Sequence, residues 1–217
     1  MKLLQINQLS KEGVETLKPS FDNLPETDHK DGKFRLRRYS VFDIRTTFWD
    51  ARTEAHLDRV EHRDFVQGDD INKFQGNMKR NFEEIEDSVA ESQGMKELAL
   101  LFKETNNLVG GHEVEVHQMR IVIRKYSHDS VPPAPEGVHQ DGFDRIAIVS
   151  VNRDNVQGGA VQVFRSQHGK PLLDAILKDG EVVNLDDKHF WHFATEIDLI
   201  NPTKDGTWDA FVITTHL

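Results

Sequence analysis

The triplet His-x-Asp, whose imidazole and carboxylate can both ligate a divalent cation, occurs four times in this chain, at His29/Asp31, His56/Asp58, His62/Asp64 and His139/Asp141. The chain has 11 histidines and no cysteine, so disulfides, thiolate clusters, zinc ribbons and cysteine nucleophiles are excluded and any metal site must use His, Asp, Glu or water. Backbone context separates the four triplets. Side chains two apart on a helix point about 200° away from each other. Residues 48–63 read as helical, so His56/Asp58 and His62/Asp64 should not close on one ion. His29/Asp31 sits in a polar, turn-like stretch, whereas His139 and Asp141 stand at an extended segment just before the apolar residues 146–151, where alternate side chains share a face. Two imidazoles and one carboxylate on one face of Fe(II) leave positions open for a chelating substrate and for oxygen. The second imidazole would come from His189 or His192, which spacing alone does not separate. Ordinary surface or core-edge histidines would explain the spacing as well.

Other motifs carry less. His62-Arg63-Asp64 resembles a kinase catalytic loop, but the Asn of that signature is missing from its offset and no Gly-rich loop precedes it. His112-Glu113-Val114-Glu115-Val116-His117 is one residue too long for the helical His-Glu-x-x-His of zinc peptidases, and its alternation reads as strand. Arg35, Arg37, Arg38 and Tyr39 form the densest basic patch, and Gly158-Gly159 reads as a turn between strands.

The elements that must position these residues change character along the chain. Residues 10–18, 48–63 and 80–106 read as helical, the last carrying Phe82, Ile85, Val89, Leu98, Leu101 and Phe102 near helical spacing with Gly94 as an interruption. From Glu113 onward, short apolar or alternating runs at 114–125, 138–151, 160–164, 181–185 and 208–217 are bounded by Gly, Pro, Asn or Asp, as strands are. We read one domain over 1–217, a helix-rich flanking part at 1–110 and the main strands at 111–217, in an α+β architecture whose catalytic part is a barrel or jelly roll. A formal charge of −10 without a basic run argues against a nucleic-acid partner. No stretch approaches the roughly 18 apolar residues that span a bilayer, and the first residues lack a secretory apolar core, so a cytoplasmic protein without a membrane partner is expected. A homodimer is compatible with the sequence.

Two longer stretches, Pro135-Glu136-Gly137-Val138-His139-Gln140-Asp141-Gly142 and Asn152-Arg153-Asp154-Asn155-Val156-Gln157-Gly158-Gly159, resemble the 2-oxoglutarate/Fe(II) dioxygenase family that includes bacterial L-isoleucine 4-hydroxylase. Phe34-Arg35-Leu36-Arg37-Arg38-Tyr39-Ser40, Gln75-Gly76-Asn77-Met78-Lys79-Arg80 and Val116-His117-Gln118-Met119-Arg120 are similar to further family segments, so the resemblance covers about residues 20–217. It implies a double-stranded β-helix of the jelly-roll, cupin-like kind with an N-terminal helical portion. It also implies Fe(II) and 2-oxoglutarate as cofactor and co-substrate, and hydroxylation of a small molecule, a free L-amino acid or related acid. The Asp186-Asp187 turn followed by His192-Phe193-Ala194-Thr195 matches the family's distal ligand, which gives His139, Asp141 and His192 as metal and catalytic residues.

One position departs from the family. Where the family opens its last strand with Arg-Asp, the arginine anchoring the distal carboxylate of 2-oxoglutarate, this chain has Trp208-Asp209, and no Lys or Arg follows Lys204. Met119, Ile121 and Ile123 make one face of their strand apolar and leave Gln118, Arg120 and Arg124 on the other, so Arg120 is the first candidate anchor, with Arg165 and Arg124 behind it. The alternatives are a cupin-like metal protein using His117 or Glu115 and a non-catalytic binding module on the same barrel.

Overall fold

The computed structural model describes residues 3–30, 32–72 and 74–217. In chain order it contains β1 (Leu4–Gln8), α1 (Lys11–Leu17), β2 (Arg35–Trp49), β3 (Arg52–Arg59), α2 (Asp87–Ala90), α3 (Gln93–Thr105), β4 (His112–Ile123) and β5 (Arg145–Asp154). There follow β6 (Val156–Gly158), β7 (Val161–Phe164), β8 (Leu173–Ala175), β9 (Glu181–Asp186), β10 (Trp191–Ala194), β11 (Ile197–Leu199) and β12 (Gly206–Thr215). Seven strands form a major sheet in the order β1-β9-β5-β12-β4-β2-β3; β10-β7-β8 and β11-β6 form two smaller sheets, and every pairing is antiparallel. The major sheet curls over the smaller ones as a double-stranded β-helix, as the sequence led us to expect.

Both faces of the major sheet are covered. On the outer face α3 presents Met95, Leu98, Ala99 and Phe102, at the i, i+3, i+4, i+7 spacing of one helical stripe, to Val114, Val116, Val149 and Phe211. Phe21, after α1, meets Phe211 edge-on at 5.1 Å between centroids. On the inner face Ile121, Ile146, Val183, Leu185 and Trp208 pack with Val161 and Val163 of the smaller sheet. Helix α1 starts at the Ser10 cap, whose hydroxyl accepts from the Gly13 amide, and falls within the expected 10–18 segment.

Residues 48–63 are not a helix: β2 and β3 form a hairpin through Asp50 and Ala51, both at positive φ (48° and 56°). The pairing that decides for strand is the hairpin itself, and β3 at the sheet edge exposes so many polar side chains that its alternation is masked. With β1, β2 and β3 all in the major sheet, the boundary at 110 between a helical part and the strands does not hold. The 80–106 segment holds no helix before Asp87, and the break before α3 is made by the Ser92 cap. Gly94 does not interrupt the helix; a Cβ there would lie 2.2 Å from the Gly13 carbonyl oxygen, so glycine is required by the close crossing of α1 and α3. The Gly158-Gly159 turn is present between β6 and β7, both residues at positive φ.

Candidate metal centre

Segment 131–143 runs along the smaller sheets and is tied to them at two places. Val131 and Ile197 exchange reciprocal backbone hydrogen bonds of 3.0 Å each, and His139 and His192 do the same at 3.0 and 2.8 Å. The second pair sets the two imidazoles side by side, with centroids 4.3 Å apart, and Asp141 follows two residues on. One ligand atom from each of His139, Asp141 and His192 falls within 4.8 Å of the others. Nε2 of His192 is 3.4 Å from Asp141 Oδ2 and Nε2 of His139 is 3.6 Å from Asp141 Oδ1. His189 points elsewhere, its Nδ1 2.9 Å from Asp186 in a half-exposed turn.

Each member is held from behind. His139 Nδ1 lies 2.7 Å from the Gly137 carbonyl oxygen, which fixes Nδ1 as the donor and leaves the Nε2 lone pair toward the cluster. Asp141 accepts from Gln67 Nε2 at 3.1 Å, and Gln67 in turn accepts from Arg80 Nη2 and Asn72 Nδ2, both at 2.9 Å. Asp187 Oδ2 caps three consecutive amides, those of Asp141, Gly142 and Phe143, at 2.9, 2.8 and 3.1 Å, and its Oδ1 lies 3.6 Å from His192 Nδ1. The same carboxylate therefore shapes the turn after Asp141 and faces the back of His192.

The electrostatics suit a divalent cation. Burial opposes charge on Asp141, but the hydrogen bond from His192 and the surrounding imidazoles outweigh it and hold the carboxyl well below its usual range. Burial and the His192 charge lower His139, which favours the neutral ligand form. For His192 burial is outweighed by Asp141, with Asp187 and Glu136 adding to the upward shift. Asp187 is pushed up to about 6 by burial and by the Asp141 charge. Two imidazoles and an ionised carboxylate converging on one point, with open space on one side, fit a labile Fe(II) ion.

That open space is a cavity of about 120 Å³ under the major sheet. Its walls are apolar near Ile121, Ile146, Ile148 and Trp208, and polar around Arg35, Arg37, Arg80, Glu136 and His117. Arg35 and Glu136 form an ion pair at 3.2 Å, each side chain 7% exposed. Burial would raise Glu136, yet the charges of Arg35 and His139 keep it below the ordinary carboxylate range.

The expected anchors lie elsewhere. In β4 the inward residues are His117, Met119 and Ile121, so the apolar side of this strand faces the cavity and Arg120 faces the helices. There its guanidinium makes a two-pronged pair with buried Asp209, 2.6 and 2.9 Å, and a third bond to Asp22 at 3.1 Å. Arg124 is exposed and pairs with Asp205, and Arg165 is exposed in the 165–171 loop. The alternation rule chose the wrong face because both faces of this strand are buried. The other His-x-Asp triplets gather no third ligand among the described residues: His56 bonds to Thr47 and Asp58 to Arg45, while His62 and Asp64 share Asn81. Asp31 lies outside the described residues. Glu115 is engaged by Tyr39 and Arg63. Gln67 and Asp187 escaped the sequence reading; the Asp-rich turn at 186–187 was a usable signal for the second, and Gln67 had none.

The end of the cavity at Trp208 bears on the missing family arginine. The indole Nε1 donates to Ser150 Oγ at 3.1 Å, and the Arg153 guanidinium lies over the ring, 4.9 Å from its centroid. Arg153 Nη2 donates to the Gly158 carbonyl oxygen at 2.6 Å, while its Nη1 is a buried donor with no partner. A Cβ at Gly159 would come within 3.2 Å of that Nη1.

The family model described as 2OG-Fe dioxygenase matches residues 18–214. Among solved structures, a bsmA homolog from Methylobium petroleophilum PM1 is 27% identical with a TM-score of 0.74, over 94% of this chain and 81% of that one. IDO from Bacillus thuringiensis (16% identity, TM-score 0.69, 96% and 88% covered) shares the fold, as does the Fe(II)/(alpha)ketoglutarate-dependent dioxygenase TqaL (15%, 0.60, 95% and 75%). No curated protein sequence matches.

Proposed function

The chain belongs to the 2OG-Fe dioxygenase family, whose members use Fe(II) and 2-oxoglutarate, and from that premise we propose that it hydroxylates a small molecule, a free L-amino acid or a related acid. The convergence of His139, Asp141 and His192 beside a cavity lined by both charges carries this reading. We assign these three as the iron ligands. Bound iron and 2-oxoglutarate supply the oxygen activation that breaks a C–H bond.

The chain's own residues do the rest. Gln67 and Asp187 hold the ligands in place before the ion arrives, which limits the reorganisation needed on binding. Glu136 and the arginines at 35, 37 and 80 offer opposite charges to a zwitterion, and Phe65, Phe143, Met119 and Ile121 keep water from the reacting centre. For the distal carboxylate of 2-oxoglutarate we assign Arg153. Its unpartnered buried Nη1, beside the indole that stands where the family has arginine, is a donor that lacks an acceptor.

The test is anaerobic addition of Fe(II) and 2-oxoglutarate, where bidentate chelation gives a visible metal-to-ligand charge-transfer band. A screen of amino acids for stimulated succinate release follows. Absence of the band in iron-loaded protein would refute the co-substrate role. Stimulation by neutral terpenoids or macromolecules alone would overturn the amino-acid class.

A further inference from the structure

His117 projects from β4 into the cavity wall and is 5% exposed. Tyr39, Phe65 and Phe82 box it in, with ring centroids at 4.7, 4.5 and 6.3 Å. An imidazole always has two polar nitrogens to satisfy, yet Nδ1 is buried with no hydrogen-bond partner. Buried polar atoms are nearly always bonded, so an exception inside a ligand cavity calls for an atom that the ligand brings.

The surroundings define what that atom is. Arg37 lies over the Phe82 ring at 5.0 Å and Arg80 over the Phe65 ring at 4.6 Å, so two guanidinium groups rest on the same rings that box the histidine. Both line the cavity. Burial, with the charges of Arg37 and Arg80, holds His117 far below its usual range, and the ring is neutral. Among the described residues no hydrogen bond fixes the tautomer of this neutral ring, so Nδ1 can carry the proton, and an N–H donor there beside two cations is complementary to an anion, not to an ammonium group. Glu136 stands on another part of the wall, paired with Arg35, where it can meet a positive group.

Resting on the amino-acid reading above, we propose that His117 is a specificity-determining residue whose ring, with Arg37 and Arg80, receives the substrate's carboxylate. This orients the molecule, because the ammonium group is then left to Glu136 and the side chain to the space nearer the ligand cluster. A carboxylate could come from the substrate or from 2-oxoglutarate, so the test separates the two.

The experiment uses the full chain, anaerobic and loaded with Fe(II), as wild type, His117→Gln and His117→Leu. The charge-transfer band is titrated first with 2-oxoglutarate. At saturating 2-oxoglutarate, each of the twenty proteinogenic L-amino acids is then added and its perturbation of the band followed. We expect 2-oxoglutarate affinity within threefold of wild type in both variants. The best-binding amino acid should weaken at least tenfold in His117→Leu but less than threefold in His117→Gln, which keeps an N–H donor. The α-amide of that amino acid should bind wild type at least tenfold more weakly than the acid. Undiminished amino-acid binding in His117→Leu overturns the inference, as does a loss confined to 2-oxoglutarate, which would make the carboxylate the co-substrate's. If the band forms but none of the twenty amino acids perturbs it in wild type, the substrate class itself is wrong and this inference falls with it.

Discussion

Asp187 is one carboxylate with four neighbours, three amides and the back of His192, so its charge matters more than its volume. Asp187→Asn should lower Fe(II) affinity by about 10- to 100-fold, the range for residues that orient metal ligands, in an anaerobic metal titration; unchanged affinity would make it a turn-former only. His139→Ala and His192→Ala should lose iron outright, whereas His56→Ala and His62→Ala, whose side chains bond to Thr47 and Asn81, should bind it normally. Retention in the first pair with loss in the second would reverse the assignment. Arg153→Gln should raise the 2-oxoglutarate requirement by one to two orders of magnitude, roughly what losing a charge-assisted hydrogen bond of about 1.5–3 kcal/mol implies. Adding Trp208→Arg should restore it, and a double variant no better than the single would argue against Arg153. At this scale the sequence was legible where chemistry dictates spacing, as in His139 and Asp141. Gln67 was not, because a residue more than seventy positions from Asp141 meets it only through the fold.

Among the elements, β4 was placed within two residues at each end, since its alternating apolar side chains have period two on either face. Which face was inward could not be read, because helices cover one and the smaller sheets the other. The consequence falls on Arg120, whose two-pronged bond to fully buried Asp209 joins neighbouring strands β4 and β12. Arg120→Ala leaves that carboxylate unpaired and should destabilise the fold by about 3–5 kcal/mol, measured as a lower denaturant midpoint, with 2-oxoglutarate affinity unchanged in the protein that remains folded. Arg120→Met combined with Asp209→Leu should recover most of the loss, because apolar packing can replace a buried pair. A weaker 2-oxoglutarate complex in the folded Arg120→Ala protein would return this residue to the cavity. The β2–β3 hairpin was lost to the sequence for a different reason. Its turn uses Asp50-Ala51 and not a glycine dipeptide, and β3 contains residues that favour helix when read locally.

For the whole molecule, the charge of −10 gave no hint of the cavity, where Arg35, Arg37 and Arg80 are turned inward. No helix of the described residues is long and apolar enough to cross a membrane. The fold itself was legible from the run of short strands after residue 113, although the share of the first half in the major sheet was not. The reciprocal backbone bonds between His139 and His192 join a loop to a four-residue strand, a seam of two backbone hydrogen bonds among the described residues. An ion gripping both imidazoles would act as a clasp across that seam and suppress local opening there without touching the helical layer. Amide hydrogen exchange should therefore quicken on chelation first at residues 137–143 and 190–194, while the amides of α3 keep their protection. Metal loss would then leave a closed barrel with an open latch, a state exposed to proteolytic nicking at one defined place.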